Sequence, residues 1–213
     1  MSFLPDAAVF IQFAVATVII AITPGPDMTL FVGRALSEGR AAGLACMAGA
    51  MTGCAIHTTL VALGLSALIV ASPQAFLVLK IVGAAYLIWL AWQAISNGSA
   101  FSPETRQRRA RSFWKNWATG IGINLLNPKI ILFFMTFLPQ FVSANDPHAA
   151  GKLLFLGLLF IPLSLPVTIP MVLAADRFAS LLSRSPKVTR AIDWLFAGVF
   201  SAFAVKILTA QAR

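Results

Sequence analysis

The sequence predicts an all-α integral membrane protein whose six transmembrane helices form two inverted three-helix repeats. Composition predicts the membrane environment, because 59% of the 213 residues are hydrophobic and only 11% are charged. A soluble domain carries about a quarter charged residues to cover its surface, so most of this chain must face lipid. The mean hydropathy of +0.85 agrees with that interpretation.

Long runs without charge give the number and position of the spans. Each principal run reaches the roughly 20 apolar residues that a helix needs to cross a bilayer. The predicted spans are about 7–33, 41–70, 74–96, 115–141, 151–175 and 190–210. No Lys or Arg precedes the first run and further spans follow it, so we expect a transmembrane helix there and not a cleaved signal peptide.

The basic residues predict the orientation of the spans. One set of alternate loops holds eleven basic residues, which are Arg34, Arg40, Arg106, Arg108, Arg109, Arg111, Lys115, Arg177, Arg184, Lys187 and Arg190. The opposite set holds Lys80, Lys152, Lys206 and Arg213. Because Lys and Arg accumulate in cytoplasmic loops, we expect both termini outside. The net charge of +9 is then an orientation signal, and we expect no nucleic-acid partner.

A weak internal repeat divides residues 1–213, which we interpret as a single transmembrane domain. The predicted parts are a first repeat at about 1–96, a basic cytoplasmic linker at about 97–114 and a second repeat at about 115–213. Pro26–Phe31 aligns with Pro128–Phe133, and Ala41–Gly43 aligns with Ala149–Gly151. Three helices per half is an odd number, so the halves would cross the membrane in opposite directions. Inverted repeats of this kind are typical of secondary transporters.

Asp27 and Lys129 stand out among the charges inside the predicted spans, where a charge at mid-bilayer costs roughly 2.5–3.5 kcal/mol on insertion scales. Asp27 follows Pro24-Gly25-Pro26, Lys129 follows Asn127-Pro128, and the repeat aligns the two. Prolines interrupt a helix, so we expect the first span to unwind at Pro24–Pro26 and to begin a new half-helix near Asp27. Helices broken in this way line cavities or are buried in protein.

A broken helix suits an amino-acid zwitterion, because its N-terminus can meet a carboxylate and its bared carbonyls can meet an ammonium group. Two simpler alternatives stay open. Asp27 would then only begin the cytoplasmic end of the first helix, and Lys129 would extend its ammonium group toward the inner face.

Other residues carry structural predictions. Pro162, Pro166 and Pro170 bend the fifth span, as a hinge or as a static kink, while Ser164 and Thr168 satisfy freed carbonyls. Gly39, Gly43, Gly49 and Gly53 give two GxxxG spacings for close helix contact, within one chain or in a homodimer. Cys46 and Cys54 are packing thiols, and His57 is a packing histidine or a proton relay. Tyr86, Trp89 and Trp92 are interfacial anchors.

Several classes of chemistry lack their motifs. The sequence has no Walker A loop, no Gly-x-Ser-x-Gly and no metal-spaced cluster, so we expect no enzyme activity, no cofactor and no metal. Transport would therefore use an ion or substrate gradient. A membrane enzyme would have to use Asp176 and Asp193, which we interpret as solvated loop residues.

The chain resembles the LysE-type amino-acid exporters, closest to the branch associated with homoserine, homoserine-lactone and threonine efflux. The matching segments are Ile22–Met28, Gly39–Leu44, Leu79–Leu87, Asn124–Lys129 and Phe134–Phe141. The resemblance implies a bacterial inner-membrane exporter of amino acids or close derivatives, driven by the proton gradient. Neutral substrates such as homoserine, threonine or leucine are favoured, because the spans hold no acidic cluster beyond Asp27 for a second cation.

The implied site comprises Thr23, Pro24, Gly25, Pro26, Asp27, Asn124, Asn127, Pro128 and Lys129. Asp27 and Lys129 would form a charge pair that substrate or proton breaks or bridges, and the asparagines would supply amide hydrogen bonds. The partners are then an amino acid, a proton and the lipid bilayer. The alternatives are an exporter of basic amino acids and a passive channel or scaffold membrane protein.

Overall fold

The computed structural model describes residues 7–71, 112–142 and 146–210, and positions 74, 78, 81–82, 84–85, 88–89, 91–92 and 95–96. The described residues contain no strand, and those between 74 and 96 are all helical, where the third span is predicted. The bounded α-helices are α1 Ala7–Ile22, α2 Pro26–Glu38, α3 Arg40–Ala71, α4 Phe113–Leu125, α5 Pro128–Leu132, α6 Ala149–Leu173, α7 Ala175–Arg184 and α8 Pro186–Ala210. The all-helical prediction is confirmed for these parts of the chain.

Two to four spans can be recognised among the described residues. Arg40–Gly64 and Ala149–Leu173 are each long and apolar enough to cross a bilayer alone. Two further spans are possible if each bent helix pair crosses the bilayer as one unit. The first pair is α1 and α2, bent by 52°, and the second is Phe113–Leu125 and Pro128–Phe141, bent by 56°. The sixth predicted span coincides with α8, whose described part does not meet the same criterion. The six-helix inverted repeat therefore stays a prediction.

The first predicted span is broken where the prolines predict. The last bonds of α1 are those from Thr23, whose N–H and hydroxyl both donate to the Ile19 carbonyl at 3.1 and 2.6 Å. Pro24 and Pro26 have no N–H to continue the ladder. Gly25 is fully extended, and α2 starts with Pro26 in its first turn, followed by a bond of 2.9 Å from the Thr29 N–H to the Gly25 carbonyl.

A second break separates α4 from α5 and has the same design. Asn127 is extended and caps α5, because its side-chain oxygen accepts from the Lys129 N–H at 3.1 Å. Pro128 follows in the first turn of α5, as Pro26 does in α2. Beyond α5 the chain continues as a π-helical turn, Phe133–Phe137, and a 3₁₀ turn, Leu138–Phe141. The aligned prolines of the predicted repeat thus begin equivalent half-helices.

Glycines bring α3 and α4 into backbone contact. A Cβ atom on Gly49 would lie 1.9 Å from the Trp117 carbonyl oxygen, and one on Gly120 would lie 2.0 Å from the Cys46 carbonyl oxygen. Gly53 approaches Asn124 in the same register, so residue numbers rise together and the two helices run parallel. The predicted close contact is confirmed within one chain. Parallel α3 and α4 also require the chain to return between them, as the predicted third span would do.

Gly39 is the exception among the GxxxG residues. It separates α2 from α3 with a φ of 96°, in the left-handed region that favours glycine, and nothing lies within 4 Å of a Cβ placed on it. Its neighbour in the motif, Gly43, does pack closely, because a Cβ there would lie 2.8 Å from the Phe31 carbonyl oxygen.

Helix α6 continues through all three of its prolines. The carbonyls that lose a donor are those four residues earlier, on Leu158, Pro162 and Pro166. We expected the hydroxyls of Ser164 and Thr168 to satisfy them, but Ser164 donates to the Ile161 carbonyl and Thr168 to the Ser164 carbonyl. That expectation was wrong, because each hydroxyl reaches back along its own helix to a carbonyl three or four residues earlier.

The connection between the last two predicted spans differs from the solvated loop that the sequence predicts. It contains α7, a ten-residue amphipathic helix that ends at Arg184, with Ser185 and Pro186 marking the turn. Asp193, expected to be solvated, is 1% exposed within α8.

Before α6, Asp146 accepts from the Lys152 ammonium and from the His148 N–H, which lowers the pKa of that carboxyl below its usual value.

Candidate functional site

The two helix breaks meet through the Lys129 side chain. Its ammonium group donates to the Thr23 carbonyl at 2.8 Å and to the Ile20 carbonyl at 3.2 Å. In an uninterrupted helix the Ile20 carbonyl would accept from residue 24, which is a proline without an N–H. Lys129 of the second broken helix therefore satisfies a carbonyl that the first break frees.

Gly25 leaves room for this contact. A Cβ atom on Gly25 would lie 3.1 Å from the Lys129 ammonium nitrogen and 3.3 Å from its Cε. The backbone of Gly25 is extended, which any residue can adopt, so the close approach of the lysine is the reason for a glycine here. The first break thus depends on the Lys129 side chain from the second, and that side chain depends on the space that Gly25 leaves in the first.

Asp27 lies in the first turn of α2 and is 8% exposed. Its Oδ2 accepts from the Asn124 side-chain amide at 2.7 Å, while its Oδ1 has no hydrogen-bond partner. The N-terminus of a helix favours a negative charge, which helps to stabilise a carboxylate at this position. Burying a charged acceptor without a partner is costly, so the open Oδ1 marks a place where a donor can bind.

The two charges do not form a direct ion pair. The ammonium group of Lys129 is occupied by the carbonyls of Ile20 and Thr23, and Asp27 is bound to Asn124. Asn127 is 1% exposed, and its Nδ2 also lacks a partner. An unused acceptor on Asp27 and an unused amide donor on Asn127 therefore remain near the breaks.

Asp27, Asn124 and Lys129 line one cavity of about 40 Å³. This space has room for roughly three water molecules, so a bound amino acid would require the surrounding helices to separate further. Much of the remaining wall is apolar and includes Ile20, Phe31, Phe160 and the methionines 28, 51 and 171. The arrangement offers separate positive and negative groups beside an apolar space, as a zwitterion with a small side chain needs.

The chain matches one known protein family over most of its length. The sequence profile of the family described as "LysE type translocator" matches residues 18–211. This chain belongs to the LysE family. No solved structure matches the chain.

Three relatives align with this chain over nearly their whole length. The homoserine/homoserine lactone efflux protein of Salmonella typhimurium is 32% identical over 204 residues, covering 94% of this chain and 95% of that protein. An uncharacterized membrane protein of Vibrio cholerae is 28% identical over 97% of this chain and all of its own length. The leucine efflux protein of Klebsiella pneumoniae is 25% identical over 95% of this chain and 96% of that protein. The chain is therefore a membrane transport protein of this family, whose members are transporters and not enzymes.

The structure brings part of the predicted site together, and of the nine predicted residues Asp27, Asn124 and Lys129 line the cavity. The breaks adjoin in space, since Thr23 and Ile20 bind Lys129, and Asp27 binds Asn124. The direct charge pair is the part that is not formed. His57, 8% exposed, stacks on Phe134 with ring centroids 5.8 Å apart, and its Nε2 lies 3.5 Å from the Asn124 carbonyl oxygen. These contacts agree with a packing histidine beside the site.

Sequence reasoning missed a repeated polar arrangement between α2, α3 and α4. In the site, Cys54 lies 3.8 Å from the Asn124 side-chain oxygen, and the Asn124 amide donates to Asp27. Eight residues earlier on both α3 and α4, Cys46 lies 3.9 Å from the Asn116 side-chain oxygen, and the Asn116 amide donates to Glu38 at 3.3 Å.

The signal for this arrangement was present in the sequence. Cys46 and Cys54 have the same spacing as Asn116 and Asn124, as expected for two parallel helices in register. Both cysteines are free and buried, which agrees with their predicted packing role. Glu38 also accepts from Arg34. Because α2 extends to Glu38, Arg34 lies inside this helix and not in the loop to which the charge count assigned it.

Proposed function

We propose that this protein is a secondary active exporter of neutral amino acids or close derivatives in the bacterial inner membrane. The observation that carries the proposal is the open Oδ1 of buried Asp27 in a cavity that Lys129 also lines. A substrate ammonium group would donate to Asp27. The substrate carboxylate would accept from Lys129 in place of one backbone carbonyl. The named efflux activities of the relatives support an amino acid as substrate.

The charge inventory of the cavity favours neutral substrates over basic ones. Among the residues that line it, Asp27 is the only acidic group. Once that carboxylate binds the α-ammonium group, no second carboxylate is left there for a Lys or Arg side chain. Glu38 is committed to Arg34 and Asn116 in the separate polar arrangement.

We also propose that export is coupled to protons through Asp27. A carboxylate can exchange a bound ammonium group for a proton, which gives one acceptor two alternative occupants. Antiport follows if the helices rearrange only when one of the two is bound. Six spans, with the two repeats inverted and both termini in the periplasm, complete the proposed architecture and place the basic linker in the cytoplasm.

Uptake into inside-out vesicles tests this proposal. With an interior one pH unit more acidic than the medium, one-for-one proton exchange should support roughly tenfold accumulation of homoserine, threonine or leucine. A protonophore should reduce accumulation to simple equilibration. Equilibration that is insensitive to the protonophore would indicate a passive channel, and preferential uptake of lysine or arginine would indicate an exporter of basic amino acids. Vesicles without the protein provide the background rate.

A further inference from the structure

Two hydroxyl groups on α6 line the cavity that holds the charged residues. Ser164 is 1% exposed and Thr168 is 5% exposed, and both belong to the same cavity wall as Asp27, Asn124 and Lys129. They lie four residues apart, so they occupy one face of α6 on successive turns. The cavity therefore combines the two charged groups with two neutral polar groups.

The hydrogen bonds of these hydroxyls leave them able to accept. Ser164 Oγ donates to the Ile161 carbonyl at 2.8 Å, and Thr168 Oγ1 donates to the Ser164 carbonyl at 3.1 Å. A hydroxyl has one hydrogen and two lone pairs, so each oxygen retains acceptor capacity after its hydrogen is used. The Met51 sulfur, 3.6 Å from Ser164 Oγ, is only a weak alternative acceptor.

The prolines of α6 do not explain the two hydroxyls. Their hydrogens go to the carbonyls of Ile161 and Ser164, which the N–H groups of residues 165 and 168 can serve in an ordinary helix. The carbonyls that the prolines leave without donors belong to other residues. A local structural repair therefore does not account for polar side chains in this wall.

We infer that Ser164 and Thr168 select substrates whose side chain carries a hydroxyl group. The inference rests on the proposed export of neutral amino acids through the same cavity. The zwitterion binds near Asp27 and Lys129, and the substrate side-chain O–H donates to one of the two acceptor oxygens on α6. A purely aliphatic side chain offers no donor and gains only apolar contact, so a hydroxylated amino acid is favoured over its isosteric aliphatic analogue.

Threonine and valine give the sharpest test because they differ by a hydroxyl in place of a methyl group. Competitive uptake into vesicles should favour threonine in the unmodified protein. In a Ser164→Ala, Thr168→Val double variant, the threonine-to-valine ratio of kcat/KM should fall by roughly 5–15-fold, and this ratio is the measured quantity whatever the absolute rate of valine uptake. Thr136→Val is the matched control, because Thr136 is buried and donates to the Leu132 carbonyl at 2.7 Å but does not line the cavity.

An unchanged threonine-to-valine ratio in the double variant would overturn the inference. If that unchanged ratio comes with an equal loss of uptake for both amino acids, the hydroxyls serve the shape of α6 instead. Homoserine against norvaline, measured in the same vesicles, repeats the comparison with a longer side chain. If the unmodified protein transports none of these amino acids, the proposed function itself fails, which distinguishes that outcome from a failure of the hydroxyl hypothesis.

Discussion

Replacing Asp27 with asparagine is expected to reduce amino-acid efflux at least about 100-fold while the protein remains folded. The new side-chain amide would still present an oxygen to Asn124, so the contact of 2.7 Å between α2 and α4 can persist. What is lost is the negative charge that would bind an ammonium group and exchange it for a proton. Removing one partner of a buried charge-assisted contact costs about 3–5 kcal/mol, which corresponds to roughly two to three and a half orders of magnitude.

Lys129→Met is expected to cause a loss of similar size for the opposite reason. It removes the donor to the carbonyls of Ile20 and Thr23 as well as the positive charge offered to a substrate carboxylate. Efflux from proteoliposomes measures both variants, and size-exclusion chromatography in detergent checks folding. Asp176→Asn and Lys187→Met are matched controls, because both residues are exposed and lie outside the cavity. Efflux above one third of the unmodified rate in both site variants would refute the charge-based site.

Gly49→Val is expected to produce the largest loss of stability of any single substitution considered. A Cβ atom at this position would lie 1.9 Å from the Trp117 carbonyl oxygen and 3.0 Å from the Ile121 backbone nitrogen. Backbone atoms cannot rotate away as a side chain can, so α3 and α4 must separate. Because Asn124 contacts Asp27 from α4, the same separation should also disturb the site.

The expected cost is about 3 kcal/mol or more, at the upper end of overpacking in a well-packed interior. For a chain of this size that corresponds to a fall in Tm of roughly 6–12 °C, which thermal unfolding in detergent would detect. Gly64→Ala and Gly122→Ala are the controls, since nothing lies within 4 Å of a Cβ at either position. These alanines should leave Tm unchanged or raise it slightly through their better helix propensity. A Gly49→Val protein as stable as its controls would contradict the close packing of α3 against α4.

Local chemistry made the helix breaks predictable. Pro24 and Pro26 lack N–H groups and flank a glycine, and α1 ends and α2 begins at this Pro-Gly-Pro segment. Proline alone does not have this effect, because α6 continues through three prolines. The same argument applies to Pro128 with Asn127 as its cap. Small residues at regular spacing similarly predicted a close helix contact, which Gly49 and Gly53 make.

Contacts between distant segments were less predictable. The sequence suggested that Lys129 would pair with Asp27, because the predicted inverted repeat aligns these two opposite charges. The fold instead brings the Ile20 and Thr23 carbonyls to 3.2 and 2.8 Å from the ammonium group, and these take its hydrogens. The equal spacing of the two cysteines and the two asparagines is visible in the sequence, but that α3 and α4 run parallel and pair Cys54 with Asn124 is set by tertiary packing.

Burial in the last quarter of the chain was misjudged for a different reason. Charged residues near a predicted span end are normally solvated, yet Asp193 is buried within α8. Helix α7 was missed because its ten residues are too short and too charged to register as a span. Some predictions fall on parts of the chain that the structure does not describe, and they remain predictions. These parts are Tyr86, much of the segment Leu79–Leu87 and all of residues 97–111. Trp89 and Trp92, which are described, are 45% and 61% exposed, as interfacial anchors require.

The native thiol of Cys54 provides the most direct test of the claim that the cavity between the two broken helices binds the amino acid. Cys54 lines the cavity, and the other cysteine of the chain, Cys46, does not. Cys54 is buried in the closed cavity, so a small maleimide reaches its thiol only while the surrounding helices are separated. In a Cys46→Ala protein that still transports, a saturating amino acid substrate should occupy that opened space and slow alkylation of Cys54 several-fold. The same amino acid should give no protection when Asp27→Asn is added. An alkylation rate that does not change at substrate concentrations that saturate transport would contradict the account, because the amino acid would then bind elsewhere.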